Sequence, residues 1–195
     1  MVRTSEPIEV SALNMLFHED VILRRPTPTE AGALYQLMVT DEKWTEFNGP
    51  YFGYERPSFP IFLETTFARL TKGEDALAIE YKSRLVGSVT SYWECERTRW
   101  LEAGIVIYDS HLWGKGLGRK AIVPWVTYLF DNLELERIGM TTWSGNPRMI
   151  QSAIRVGFTI EGTLRKVRYF KGIYYDSIRL GVTRDEWKTL YPKSY

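Results

Sequence analysis

One stretch constrains this chain more than any other. Residues 101–121 read LEAGIVIYDSHLWGKGLGRKA: a strand-like apolar run ends, Gly114, Gly116 and Gly118 alternate through a turn, and a helix pattern starts at once. Glycines at such a junction let the backbone turn sharply and come close to a ligand. The first amides of a helix have no partner inside it, and its dipole favours an anion at that end. A strand–glycine turn–helix junction is therefore a phosphate seat. Lys115, Arg119 and Lys120 add positive charge beside it.

Two common phosphate loops fail on spacing. A P-loop needs Gly-Lys followed by Ser or Thr, whereas Gly116 is followed by Leu117. The dinucleotide fingerprint needs a third glycine where Arg119 or Lys120 stands and belongs near the start of a βαβ unit; here the loop lies past mid-chain.

The flanking pattern is that of one mixed domain. A short strand (VILRR, from Val21) precedes a helix opened by Thr27 as cap, Pro28 and Glu30. An aromatic, Gly/Pro-rich stretch then breaks regular structure, and a second helix is expected over 60–72. Three strand runs follow, the first two joined by a turn at 82–84. After the glycine turn, Ile122, Trp125, Val126, Leu129, Phe130 and Leu133 recur at helical spacing and give the long helix a buried face. Pro124 sits inside it against the local rule. The strand RIGMTTW, a helix capped by Asn146, a hairpin turning at Lys171 and Gly172, and a short helix boxed by Thr183 and Glu186 complete the chain. The order β-α-α-β-β-β-α-β-α-β-β predicts an α/β (α+β) mixed sheet with helices on both faces. Residues 1–17 read as an N-terminal arm and 18–195 as the domain; Leu13, Met15, Leu16 and Phe17 would dock the arm on the body or on a second subunit.

Composition narrows the classes. A net charge of +1 argues against a nucleic-acid partner. No apolar run approaches the roughly 20 residues of a membrane span, and the N-terminus lacks a signal peptide's apolar stretch, so a cytoplasmic location is expected. One cysteine, Cys95, and two distant histidines, His18 and His111, supply no zinc ligand set, so no metal is expected. Cys95, in an apolar run, reads as a buried inert thiol.

The glycine turn resembles the pyrophosphate turn of the GNAT acetyltransferase superfamily, Gln/Arg-x-x-Gly-x-Gly/Ala, with Trp113 in the first place and Gly116 and Gly118 in the glycine places. Tryptophan there is similar to the RimJ/RimL-like branch, where YWGKGIG is a common form. The likeness continues through SGNPRMIQSAIRVGF and YYDSIRLGVTRDEW and covers roughly residues 20–192. It implies an acyl-CoA N-acyltransferase fold with a splayed central strand pair and acetyl-CoA as co-substrate. It also implies that the backbone of Ile105, Val106 and Ile107 pairs with the pantetheine arm, with an amide near Val106 meeting the oxyanion. The amides of Trp113, Gly114, Lys115, Gly116, Leu117, Gly118 and Arg119 would hold the diphosphate. Asn146 matches a residue that touches the pantetheine arm; a plain helix cap explains it as well.

Acetyl transfer to an amine needs a neutral nucleophile, donors for an oxyanion and a proton for the thiolate. Glu102, where relatives read AEIG and this chain LEAG, is the candidate base; an exposed strand glutamate or an ion pair is its bland alternative. Glu94, Glu96 and His111 are weaker options. Relatives place Tyr or Ser on the helix after Asn146 as proton donor, where this chain has Met149 and Ala153, so Ser152 is left as a substitute, with Tyr169, Tyr174 and Tyr175 able to approach from the hairpin. Trp44, Phe47, Tyr51, Phe52, Tyr92 and Trp93 suggest an aromatic acceptor cleft suited to a cationic amine, either a protein N-terminal α-amine or a small amine. Aminoglycoside-type acetylation and a CoA-binding sensor without catalysis are the rivals; a homodimer is consistent with the arm and an open sheet edge.

Overall fold

A computed structural model describes residues 15–192. The first fourteen residues, with most of the expected arm including Leu13, lie outside the described residues, as do the last three. Eight strands form one sheet in the order β1-β2-β3-β4-β5-β6-β8-β7. They are β1 Leu16–His18, β2 Val21–Arg24, β3 Ala76–Tyr81, β4 Arg84–Cys95, β5 Trp100–Ile107, β6 Arg137–Trp143, β7 Thr159–Phe170 and β8 Ile173–Thr183. Leu16, Phe17 and His18 thus pair with β2 as an edge strand, which draws the end of the expected arm into the sheet.

Helices cover both faces. On one lie α1 (Ala31–Thr40), α2 (Phe59–Phe62) and α3 (Ala68–Lys72); a π-helical turn, Leu63–Phe67, joins the last two. Leu34, Met38, Phe62 and Leu70 pack there against Ala76 and Tyr108. On the other face lie α4 (Leu117–Asn132), α5 (Pro147–Arg155) and α6 (Arg184–Leu190). Leu117, Ala121, Trp125, Val126 and Leu129 bury the inner stripe of α4 on Leu77, Leu101, Ile138 and Leu180. Each of the large side chains among them stabilises by roughly 1.5–3 kcal/mol, and Ala121 by less. Trp125 also donates its Nε1–H to the Thr90 carbonyl at 2.9 Å, fixing α4 to β4.

Local signals behave as their chemistry requires. Glu30 accepts from the Thr27 amide at 2.7 Å, although the turn it closes, Pro28–Glu30, is 3-10 rather than α. Arg184 gives its guanidinium to the carbonyls of Phe130, Leu133 and Leu135 at 2.6–2.8 Å, a cation on the carbonyl end of α4. Helix α4 runs through Pro124, and nothing in the structure explains why a proline stands there. Cys95 corrects its reading: at the end of β4 it is half-buried, and hydrogen bonding with Thr98 lowers its pKa.

One topological fact positions the site. β5 and β6 are parallel and pair at only two positions, Leu101 with Ile138 and Glu102 with Gly139. Beyond these the strands diverge, and the sheet opens between them.

Candidate active site

The opening leads to a cavity of about 1280 Å³ walled by β4, β5, β6, the glycine turn, α5 and the aromatic stretch after α1. At its donor end, Gly114 and Gly116 adopt φ of +77° and +79°, a region that disfavours side chains, and α4 starts immediately after. Among the described residues, the backbone amides of Gly114, Lys115, Gly116, Leu117, Gly118 and Arg119 have no hydrogen-bond partner. A methyl added at Gly114, Gly116 or Gly118 would meet nothing within 4 Å. Six unpartnered amides, with open space at the three glycines among them, fit a diphosphate.

Trp113 departs from its expected role. Its amide goes to the Ser110 carbonyl at 3.2 Å, so the free run starts one residue later. Its indole Nε1–H donates to the Ile107 carbonyl at 2.9 Å and ties the turn to β5. Arg119 and Lys120 are engaged by Glu19 and Asp20 in the β1–β2 turn at 2.6–3.0 Å, and Lys115 does not line the cavity.

The β5 backbone follows from its register. The Tyr108 amide bonds the Val86 carbonyl, so by the two-residue period of an antiparallel ladder Val106 also faces β4. Ile105 and Ile107 face the gap. The amides that face the gap are therefore those of Ile105 and Ile107, one residue to either side of the expected position near Val106.

Glu102 stands at the apex where the strands part. Its side chain is 0% exposed and does not line the cavity. Oε1 accepts from Trp100 Nε1 at 2.8 Å and lies 3.5 Å from Arg137 Nη1; Oε2 accepts from the Thr141 hydroxyl at 2.8 Å. Gly139 makes room for it, since a Cβ there would collide with Oε1. Thr141 does line the cavity and links Glu102 to it, while accepting from Arg179 Nη1 at 2.7 Å. Arg179 also holds Glu94, a cavity-lining carboxylate, at 2.7 Å. Burial, then the charges of Glu102 and Glu94, push the Tyr92 phenol above its usual pKa and keep it protonated.

On α5, Asn146 caps the helix by accepting from the Met149 amide at 3.1 Å, and its Nδ2 donates to the Phe47 carbonyl at 3.2 Å. It lines the cavity, as does Ser152; Ala153 is buried and Met149 half-buried against the core. Tyr169 and Tyr174 are exposed and pack on each other with tilted rings, and Tyr175 packs on Trp143; none of the three reaches the cavity. Trp44, Phe47, Tyr51, Phe52 and Tyr92 do line it; Trp93 does not. Glu96 lies in an exposed turn, and His111 is outside the cavity. Sequence reasoning missed Thr141, Arg168 and Arg179, whose alternation along β6, β7 and β8 places them on the cleft face only once the register is known.

The acetyltransferase (GNAT) domain model matches residues 20–159. The chain belongs to the GNAT acetyltransferase family. Among curated GNAT relatives it is similar to the SPbeta prophage-derived uncharacterized N-acetyltransferase YokL of Bacillus subtilis, 30% identical over 112 residues. That match covers 57% of this chain and 63% of YokL, so under two thirds of that relative's length is spanned. Two solved structures share the GNAT fold. RimL, a ribosomal L7/L12 α-N-protein acetyltransferase in complex with coenzyme A, superposes with a TM-score of 0.72 at 17% identity, covering 89% of this chain and 99% of that one. Spermidine N-acetyltransferase from Vibrio cholerae, in complex with CoA and spermine, gives 0.69 at 22% identity, covering 86% and 98%. Among the described residues of this GNAT domain, no group of three or more His, Cys, Asp or Glu is placed to hold a metal, and no helix is long and apolar enough to cross a membrane.

Proposed function

We propose that this GNAT chain transfers acetyl from acetyl-CoA to a primary amine, a protein N-terminal α-amine or a small amine, by direct attack in a ternary complex. The observation that carries this reading is the run of six unpartnered amides at the mouth of α4, opening into a cavity continuous with the gap between β5 and β6. These amides take the diphosphate of the donor. The gap-facing main chain of Ile105 and Ile107 takes the pantetheine arm, beside Asn146.

In this scheme the amine enters from the face bearing Thr141, Glu94 and Tyr92. Cationic Arg168 and Arg179 in the cleft wall disfavour an ammonium there and so favour the neutral nucleophile. As nitrogen bonds the acetyl carbon, the amide of Ile105 receives the oxyanion. The nitrogen's proton passes to the Thr141 hydroxyl, whose own proton goes to Glu102; the carboxylate acts as base one hydroxyl away from substrate. The C–S bond then breaks, and the departing thiolate takes the Ser152 hydroxyl proton, which solvent in the open cleft replaces.

The RimL likeness in fold and the tryptophan at position 113 support a RimJ/RimL-like branch. A homodimer and a cytoplasmic location complete the reading; exposed Leu164, Val167, Ile173 and Tyr174 on the β7–β8 edge offer a subunit face.

The test pairs calorimetric acetyl-CoA binding with thiol-detected CoA release over peptides and small amines. Binding with amine-dependent release is expected. Tight binding with no release over the whole panel supports the sensor reading instead, and absence of binding removes the proposal.

A further inference from the structure

The charges of the cavity do not balance. Six arginines line it, against the single carboxylate of Glu94. Arg119 pairs with Glu19, and Arg148 and Arg155 stand on α5 at the donor end, where a donor's phosphates would meet them. Arg69 holds Asp75 at 3.0 Å, and Arg179 holds Glu94. Arg168 is left over. It projects from β7 beside its register partner Tyr175, with its guanidinium 4.7 Å from the Tyr51 ring centre and 5.2 Å from that of Phe52. Arg168 is half-buried; among the described residues no carboxylate pairs with it, and its Nε is enclosed without a hydrogen-bond partner. An enclosed N–H without an acceptor costs stability, and the cost is recovered when a ligand supplies the acceptor.

We infer that the acceptor amine carries its own anionic group, a carboxylate or a phosphate, which Arg168 binds beside the rings of Tyr51 and Phe52. The inference rests on the acetyltransferase reading and names the acceptor class within it. Tyr175 and Arg179 are four residues apart on one face of β8, roughly 13 Å of strand. The anion and the amine, lodged near Thr141, therefore stand several bonds apart. A polyamine would bring a second cation to Arg168 instead of an acceptor.

The test uses a matched series: pentylamine, octylamine, 1,5-diaminopentane and spermidine against 5-aminopentanoate, 8-aminooctanoate, 3-aminopropyl phosphate and 6-aminohexyl phosphate. Rates are read by CoA release, and binding to the protein, with and without CoA, by saturation-transfer NMR. At least one anionic amine should exceed its matched alkylamine and the polyamines by about tenfold in kcat/KM and in affinity, a charge-assisted hydrogen bond's worth; the two anionic arms tell carboxylate from phosphate. Arg168→Gln should cut that preference to threefold or less. Arg165→Gln, the same charge change at an exposed site on β7, should leave it intact. A polyamine that matches the anionic amines, or a preference that survives Arg168→Gln, overturns the inference while leaving acetyl transfer standing. Anionic amines that neither turn over nor bind better than their matched alkylamines also overturn it. Failure to bind acetyl-CoA strikes the acetyltransferase reading itself.

Discussion

At the scale of single residues, the site turns on a carboxylate that is not in it. Glu102 is enclosed by Trp100, Arg137 and Thr141, and a side chain lacking any surface cannot touch an amine directly. The Thr141 hydroxyl is its route to the cleft. Thr141→Val keeps the shape and removes the route. Turnover should fall about 100-fold, the lower end of what a positioned acid or base contributes, with acetyl-CoA affinity unchanged. Stability should fall by about 1–3 kcal/mol, because Glu102 and Arg179 each lose a partner. Stopped-flow CoA release and calorimetry read the first two effects, and urea unfolding the third. A Thr141→Val enzyme with full activity would remove Thr141 from the proton route. The sequence placed Glu102 on the right strand, since LEAG marks the position. It could not show burial, which depends on the missing side chain at Gly139 in a strand 37 residues away.

At the scale of elements, the glycine turn and α4 make opposing demands at Gly118. This residue lies in the first turn of α4, its φ is not in the left-handed region, and a methyl there meets no protein atom. Gly118→Ala should therefore raise stability by up to about 1 kcal/mol through helix propensity while weakening acetyl-CoA binding at least tenfold, because the methyl fills space beside the free amides. Thermal melts and calorimetry on one sample check both signs; a variant that binds the donor normally would mean the diphosphate lies elsewhere. The turn was legible because its glycines, helix start and preceding strand are contiguous. The same holds for the β6 run and the β7–β8 hairpin, whose strands the structure places at Arg137–Trp143, Thr159–Phe170 and Ile173–Thr183. Less legible were the π turn between α2 and α3 and the cationic wall of the cleft. Arg168 and Arg179 look like solvated strand residues until pairing aligns them opposite Tyr51 and Thr141. The expectation of a cleft suited to a cation joined the aromatic rings to Glu102; the structure withdraws Glu102 from the cleft surface and shows that Tyr51 and Phe52 already hold a guanidinium.

At the scale of the whole molecule, ion pairs at the rim of the sheet set the response to acid. Glu30 is held at about 2, first by hydrogen bonding to the Arg24 guanidinium and then, against the cost of burial, by the Thr27 backbone and hydroxyl. Its ordinary value is near 4.3. A carboxyl whose folded pKa is depressed stabilises the fold above its unfolded pKa and loses that contribution as pH falls through the folded one. The window is therefore pH 4.5 down to 2. With solvent access discounted, the contribution is roughly 1 kcal/mol. Melting temperature followed over that window should drop less steeply for Glu30→Gln than for the parent chain. Equal slopes would show that the pair does not matter in solution. The two-position pairing of β5 and β6 has a thermodynamic corollary of its own. The main-chain groups of Ile105 and the amide of Ile107 are left for a substrate to satisfy, so folding and donor supply are linked by mass action. Acetyl-CoA at one hundred times its Kd should add about 2.7 kcal/mol to the unfolding free energy. Protease survival should then track the acetyl-donor pool, and the chain would persist longest where its own substrate is plentiful.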